Sequence, residues 1–110
     1  MKYEIVFVPA SLLHKYTKLK ESTVEDKTLY NNLTKAFDEL EIDPANGKEI
    51  PRDRIPTRFR KRHPLMRNCW KYDLPDGWRL IYHIASSSGH RFVVIAKWMS
   101  HDEYVRDFNY

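Results

Sequence analysis

The sequence predicts an α+β domain in which two antiparallel helices pack on an antiparallel sheet. Three observations carry this: a β-forming run opens the chain, two stretches of helical periodicity follow, and three strand-like runs joined by turn residues close it. At 110 residues, with 42% apolar and 14% aromatic side chains, residues 1–110 make one domain with enough aromatic area for a core. Lys2 to Val8 reads as a strand through Ile5, Val6, Phe7 and Val8, and Pro9 stops it. Leu12, Leu13, Tyr16 and Leu19 then fall at helical spacing. A second helix begins at Thr23 as N-cap, with Glu25 and Asp26 in its positive first turn and Leu29, Leu33, Phe37 and Leu40 along one stripe. The run Asp43-Pro44-Ala45-Asn46-Gly47 ends it.

Charge divides the chain in two. Residues 1–50 carry 7 basic and 9 acidic groups, a balance of −2, and residues 51–110 carry 12 and 6, a balance of +6. That asymmetry points to an anionic partner, with nucleic acid ahead of membrane because no basic amphipathic helix accompanies it. No apolar run reaches the length of a membrane span, and the start Met1-Lys2-Tyr3-Glu4 lacks the layout of a signal peptide, so the expected location is the cytoplasm. One cysteine, Cys69, and five histidines without paired spacing give no metal signature and no disulfide. No glycine-rich phosphate loop is present, which leaves no cofactor to expect. From Lys48 to Arg67 the periodicity fails. Pro51, Pro56 and Pro64 interrupt a segment bearing Arg52, Arg54, Arg58, Arg60, Lys61, Arg62 and Arg67 against Asp53, read as an irregular basic crossing that either contacts phosphates or stands as a solvated loop.

The runs Asn68 to Leu74, Trp78 to Ala85 and Arg91 to Trp98 form a meander. Its first turn sets the register. With Pro75, Asp76 and Gly77 all in the loop and Gly77 left-handed, one face collects Trp70, Tyr72, Leu74, Trp78, Leu80, Tyr82 and Ile84 toward the helices. The other carries Cys69, Lys71, Asp73, Arg79, Ile81 and His83, with Lys71, Arg79 and His83 outward. In the third strand the same test puts Phe92, Val94, Ala96 and Trp98 on the core side and Arg91, Val93, Ile95 and Lys97 on the polar side, with Lys97 near Arg79. Ser100 is the expected N-cap of a short last helix holding His101, Asp102 and Glu103 in its first turn, with Tyr104 and Phe108 free for contacts.

This order of elements, with Cys69-Trp70-Lys71-Tyr72-Asp73-Leu74, Gly77-Trp78-Arg79-Leu80-Ile81-Tyr82-His83-Ile84 and Lys97-Trp98-Met99-Ser100-His101-Asp102-Glu103-Tyr104, resembles the RelE/ParE toxin superfamily over nearly the whole chain. The resemblance implies the toxin of a type II toxin-antitoxin system, in its RelE-like branch a metal-independent endoribonuclease that cleaves messenger RNA in the ribosomal A site. Such chemistry deprotonates a 2′-hydroxyl, stabilises a phosphorane and protonates the departing 5′-oxygen. Carried over by position as the catalytic set, Arg79 matches the phosphate-stabilising arginine, Lys71 the first basic residue of the preceding strand, and Tyr104 and His101 a C-terminal tyrosine and histidine that move protons. Lys97 and His83 join the phosphate-binding set with the arginines and lysine of the crossing segment. Asp73 stands where the family has a second lysine.

Each assignment has a rival. Arg79 can pair with Asp73 across the hairpin, Lys71 can be a solvated strand residue, His101 a surface histidine, Tyr104 a packing residue and His83 a second base or a satisfied strand histidine. Cys69 opposite His83 raises a thiol nucleophile, although no third group orients the imidazole. Two alternatives to the endoribonuclease remain: a ParE-like inhibitor of DNA gyrase, and a basic RNA-binding module without catalysis. The expected partners are an acidic antitoxin, the ribosome and messenger RNA.

Overall fold

The computed structural model describes residues 2–64 and 66–108. Its strands are β1 (Glu4–Phe7), β2 (Lys48–Glu49), β3 (Trp70–Asp73), β4 (Arg79–Ser87) and β5 (His90–Met99); its helices are α1 (Ser11–Leu19), α2 (Val24–Ile42), α3 (Thr57–Arg62) and α4 (His101–Phe108). The sheet runs β1-β5-β4-β3-β2. The meander is antiparallel, and β1 joins its far edge parallel to β5, pairing Ile5 with Val93 and Phe7 with Ile95, so the sheet is mixed at that edge.

The first core lies between the sheet and the α1–α2 hairpin. Thr23 caps α2 as its residue type predicts, the Asp26 N–H donating to Oγ1 at 3.1 Å, and Leu29, Leu33, Phe37 and Leu40 are all buried. Leu12, Tyr16 and Leu19 turn inward from α1, whereas Leu13 is 48% exposed. Tyr16 packs among Phe7, Tyr30 and Phe37. At the end of α2 the chain turns tightly under the sheet: the Tyr82 hydroxyl donates to the Pro44 carbonyl at 2.6 Å, and Gly47 passes against the Lys71 carbonyl.

The β3–β4 hairpin has the predicted register, with Trp70 opposite Tyr82, Tyr72 opposite Leu80 and Asp73 opposite Arg79. Its loop is Pro75–Gly77, with Asp76 and Gly77 both at positive φ, and the Leu74 N–H closes it on the Trp78 carbonyl at 2.8 Å. In β5 the prediction holds for Lys97 and Trp98 and reverses for residues 91–96. A bulge leaves Ile81 opposite Lys97 but Tyr82 opposite Ile95, so Ala96 is an extra residue. Val93 and Ile95 therefore face the helices, and Val94 and Ala96 face away.

The larger departure is on that second face. The Lys48–Arg67 segment is not irregular throughout, since it contains β2, a 3₁₀ turn at Arg52–Arg54 and α3. It lays Ile50, Ile55 and Phe59 beside Tyr104 and Phe108 of α4, over Cys69, Ile81, Ala96 and Met99. The sheet is thus covered on both sides, and His83, expected outward, is only 5% exposed. Three apolar residues spaced irregularly among arginines and prolines leave no periodic signal from which this cover can be read.

Candidate active site at the end of the meander

Strand alternation places Lys71, Asp73 and Arg79 on the second face, next to the turn that ends the hairpin. Asp73 takes both cations: Lys71 Nζ lies 2.8 Å and Arg79 Nε 3.0 Å from its Oδ1. Arg79 Nη1 also donates to the Gly77 carbonyl at 2.8 Å, which ties the guanidinium to the turn. Both basic side chains are 18% exposed and the carboxylate 48%, so the group opens to solvent on the aspartate side. Partial burial alone would raise the Asp73 carboxyl, but the Lys71 hydrogen bond and the charges of Lys71, Arg79 and Lys48 outweigh it and hold the group below the usual carboxylate range.

Tyr104 forms the floor. Its ring centroid is 5.8 Å from Lys71 Nζ and 5.6 Å from Arg79 Cζ, a cation–π arrangement for both, and the residue is 5% exposed. Behind it the ring stacks on Phe108 at 4.9 Å, and Phe108 meets Phe59 of α3 at 5.4 Å. The basic pair thus rests on an aromatic column anchored in the second core.

The start of α4 comes to the same turn. Ser100 and Glu103 form a reciprocal cap, with the Glu103 N–H donating to Ser100 Oγ and the Ser100 N–H donating to Glu103 Oε1, each at 3.3 Å. This sets His101 against the loop: a Cβ built on Gly77 would lie 3.2 Å from the His101 Cβ, and the histidine is exposed.

The other residues singled out in the sequence lie elsewhere. Lys97 shares the face of Arg79 but turns to α4, 3.8 Å from both Glu103 and Asp107. Arg58 is ion-paired to Asp107, whose carboxylate is 7% exposed and also takes Arg106. Burial would raise the Asp107 carboxyl, but the hydrogen bonds from Arg58 and Arg106 and the charges of Arg58 and Lys97 hold it low. Sequence reasoning passed over Asp107. The signal was its spacing of four from Glu103, which sets two carboxylates on one helix face. Arg52, Arg54, Arg60, Lys61, Arg62 and Arg67 are exposed along the crossing segment.

His83 lies inside, its ring 5.4 Å from that of His63, out of reach of a phosphate at the surface. Burial first, and His63 second, lower the His83 imidazole to about 4. Cys69, opposite His83, is fully buried, and burial pushes its thiol up to about 12, far from a reactive thiolate. Among the described residues no three His, Cys, Asp or Glu side chains gather as a metal site, and no helix is long and apolar enough to cross a membrane.

Two helices on one face of the sheet, a C-terminal helix on the other and a basic pair at the hairpin end together define a small toxin-like domain. The family described as the ParE toxin of the type II toxin-antitoxin system parDE matches residues 12–102, and the chain belongs to it. Neither a curated protein nor a solved structure matches the chain. As the toxin of a type II system it has a cognate antitoxin as its partner.

Proposed function

We propose that this toxin is a ribosome-dependent endoribonuclease acting in the cytoplasm on messenger RNA in the A site. The observation that supports this reading is the juxtaposition of Lys71 and Arg79 over the Tyr104 ring, with His101 at the adjoining turn. In the reaction a 2′-hydroxyl loses its proton and its oxygen attacks the adjacent phosphorus. The bond to the 5′-oxygen breaks, leaving a 2′,3′-cyclic phosphate and a 5′-hydroxyl that takes up a proton. Arg79 and Lys71 compensate the charge that develops on the phosphorane oxygens, held in direction by the turn carbonyl and the ring beneath them. His101, solvent-accessible at the rim, moves the proton. Tyr104 is a positioning residue here, because its ring carries the cations. Lys97 acts from the same face, and an acidic segment of the antitoxin silences the toxin by covering this basic end.

The experiment is a translation reaction with programmed ribosomes in which new message ends are mapped by primer extension. Cuts in the A-site codon that disappear with Arg79→Ala and fall sharply with His101→Ala are expected. Folded variants that cut like the parent would overturn the assignment.

A second reading, inhibition of DNA gyrase, is favoured by Asp73, which already pairs with both cations and offsets one of their two charges. It predicts intact messages together with an induced DNA-damage response on expression.

A further inference from the structure

We propose that the cleft bounded by the end of β2, the 3₁₀ turn that follows it and the segment leading into β3 is a nucleotide pocket, in which one base of the RNA is held and its phosphate is gripped by Arg52 and Arg67. The cleft has a volume of about 480 Å³, within the range of pockets that take small ligands. Its walls divide by chemistry. Pro51 gives the exposed apolar surface for a planar ring, backed by Ile50 and Ile55 at the edge of the second core, and Arg52 and Arg67 stand at its sides.

Ion pairing separates these arginines from the cations of the basic end and of the α3–α4 clamp. Lys71, Arg79, Lys97, Arg58 and Arg106 are each matched to a carboxylate. Among the described residues neither Arg52 nor Arg67 is ion-paired, and both are exposed. An entering phosphate therefore meets two guanidinium groups with no carboxylate to displace, and guanidinium is suited to bidentate phosphate contact.

Glu49 supplies the single carboxylate of the lining. A carboxylate accepts two parallel N–H bonds, which the adjacent N1–H and 2-amino group of guanine provide, whereas uracil offers one N–H between two carbonyls that would repel it. Asn68 is anchored by the Ile84 backbone, donating to the carbonyl at 3.0 Å and accepting from the N–H at 2.8 Å, which leaves Glu49 as the charged acceptor for the base. The pocket therefore favours guanine.

Its position suits a strand crossing from the basic pair. Cys69, in the cleft wall, precedes Lys71 by two residues on the same face of β3, a rise of about 7 Å. The proposal rests on RNA as the target, yet it is tested on the free protein, so absence of cleavage on ribosomes and absence of nucleotide binding are separate results.

The probes are guanosine 5′-monophosphate, uridine 5′-monophosphate, guanosine and inorganic phosphate, titrated into the protein and followed by methyl and arginine side-chain NMR. Saturable shifts at Ile50, Ile55, Arg52 and Arg67 with the guanine nucleotide are expected, with at least tenfold weaker binding of each other probe. Arg52→Ala and Arg67→Ala should each weaken binding about tenfold, and Lys15→Ala on α1 should leave it unchanged. Glu49→Gln should remove the preference for guanine over uracil while keeping affinity for the phosphate. Equal binding of inorganic phosphate would reduce the cleft to an anion site and overturn the proposal. Shifts centred away from the cleft, or no saturation, would do the same.

Discussion

Two buried imidazoles set the acid limb of this protein's stability. Among the described residues, both ring nitrogens of His83 and Nε2 of His63 have no hydrogen-bond partner, and burial lowers both groups, His83 to about 4 from the ordinary 6.5. As pH falls below about 6.5 the unfolded chain takes up a proton that the folded chain refuses, so the His83 contribution declines until about pH 4 and then levels, while Asp73 and Asp107, held below their ordinary range, lose theirs at lower pH. The loss ascribable to His83 is about 2 kcal/mol between about pH 7 and about pH 5. Urea denaturation of the parent and of His83→Leu at the two pH values should show the parent losing about that much more; equal losses would assign the acid limb to other groups. Asp73 gives the second prediction at this scale. Asp73→Asn should speed message cleavage several-fold, because it frees Lys71 and Arg79, and should change stability by less than about 1 kcal/mol, as expected of a half-exposed pair. Slower cleavage by a folded variant would show instead that the carboxylate holds the cations in place. The hairpin register and the faces of Lys71, Arg79 and Asp73 were legible because only one loop length segregates apolar from polar side chains. The burial of His83 was not, since alternation assigns a face and says nothing of what covers it.

At the scale of the element, the tight passage after α2 rests on space. Gly47 has an ordinary φ of −90°, yet a Cβ there would sit 2.4 Å from the Lys71 carbonyl and 2.5 Å from the Tyr82 hydroxyl. Gly47→Ala should cost about 2 kcal/mol, from overpacking and loss of the Tyr82 anchor. A chemical-denaturation midpoint unchanged from the parent would contradict this. The clamp between α3 and α4 has one centre, Asp107, with Arg58 reaching it from the other helix. Arg58→Ala should raise amide exchange selectively in α3 and α4, with β4 and β5 unchanged. The caps of α2 and α4 and the stripe of α2 follow from readable local chemistry, whereas α3 has no side-chain cap and lies in a run of arginines and prolines whose apolar residues follow no period.

For the whole molecule, the consequence of two cores is that β4 has no solvent side along its middle. Leu80, Ile81 and Tyr82 are each fully buried, Leu80 and Tyr82 against the α1–α2 hairpin and Ile81 against α3 and α4. Truncation on either face should be felt throughout: Leu33→Ala and Phe108→Ala should each cost about 3 kcal/mol, and calorimetry should still show one transition. Two separate transitions would mean that the layers unfold independently. The general architecture was legible because each apolar stripe of the first layer follows its period. The second layer was not, because it is assembled from short pieces that meet only in space.

The bulge in β5 bears on how such a chain tolerates gain and loss of residues. Ala96 and Lys97 both lie on the second face, opposite Ile81, so Ala96 is supernumerary to the pleat. Deleting it would leave Ile95, Lys97, Trp98 and Met99 alternating on the sides they already occupy. Deleting Lys97 would keep the alternation but remove a cation, and deleting any residue from Val93 to Ile95 would turn one end of the strand inside out. Ala96 is therefore the residue of β5 that can be lost without exchanging what is buried for what is reactive.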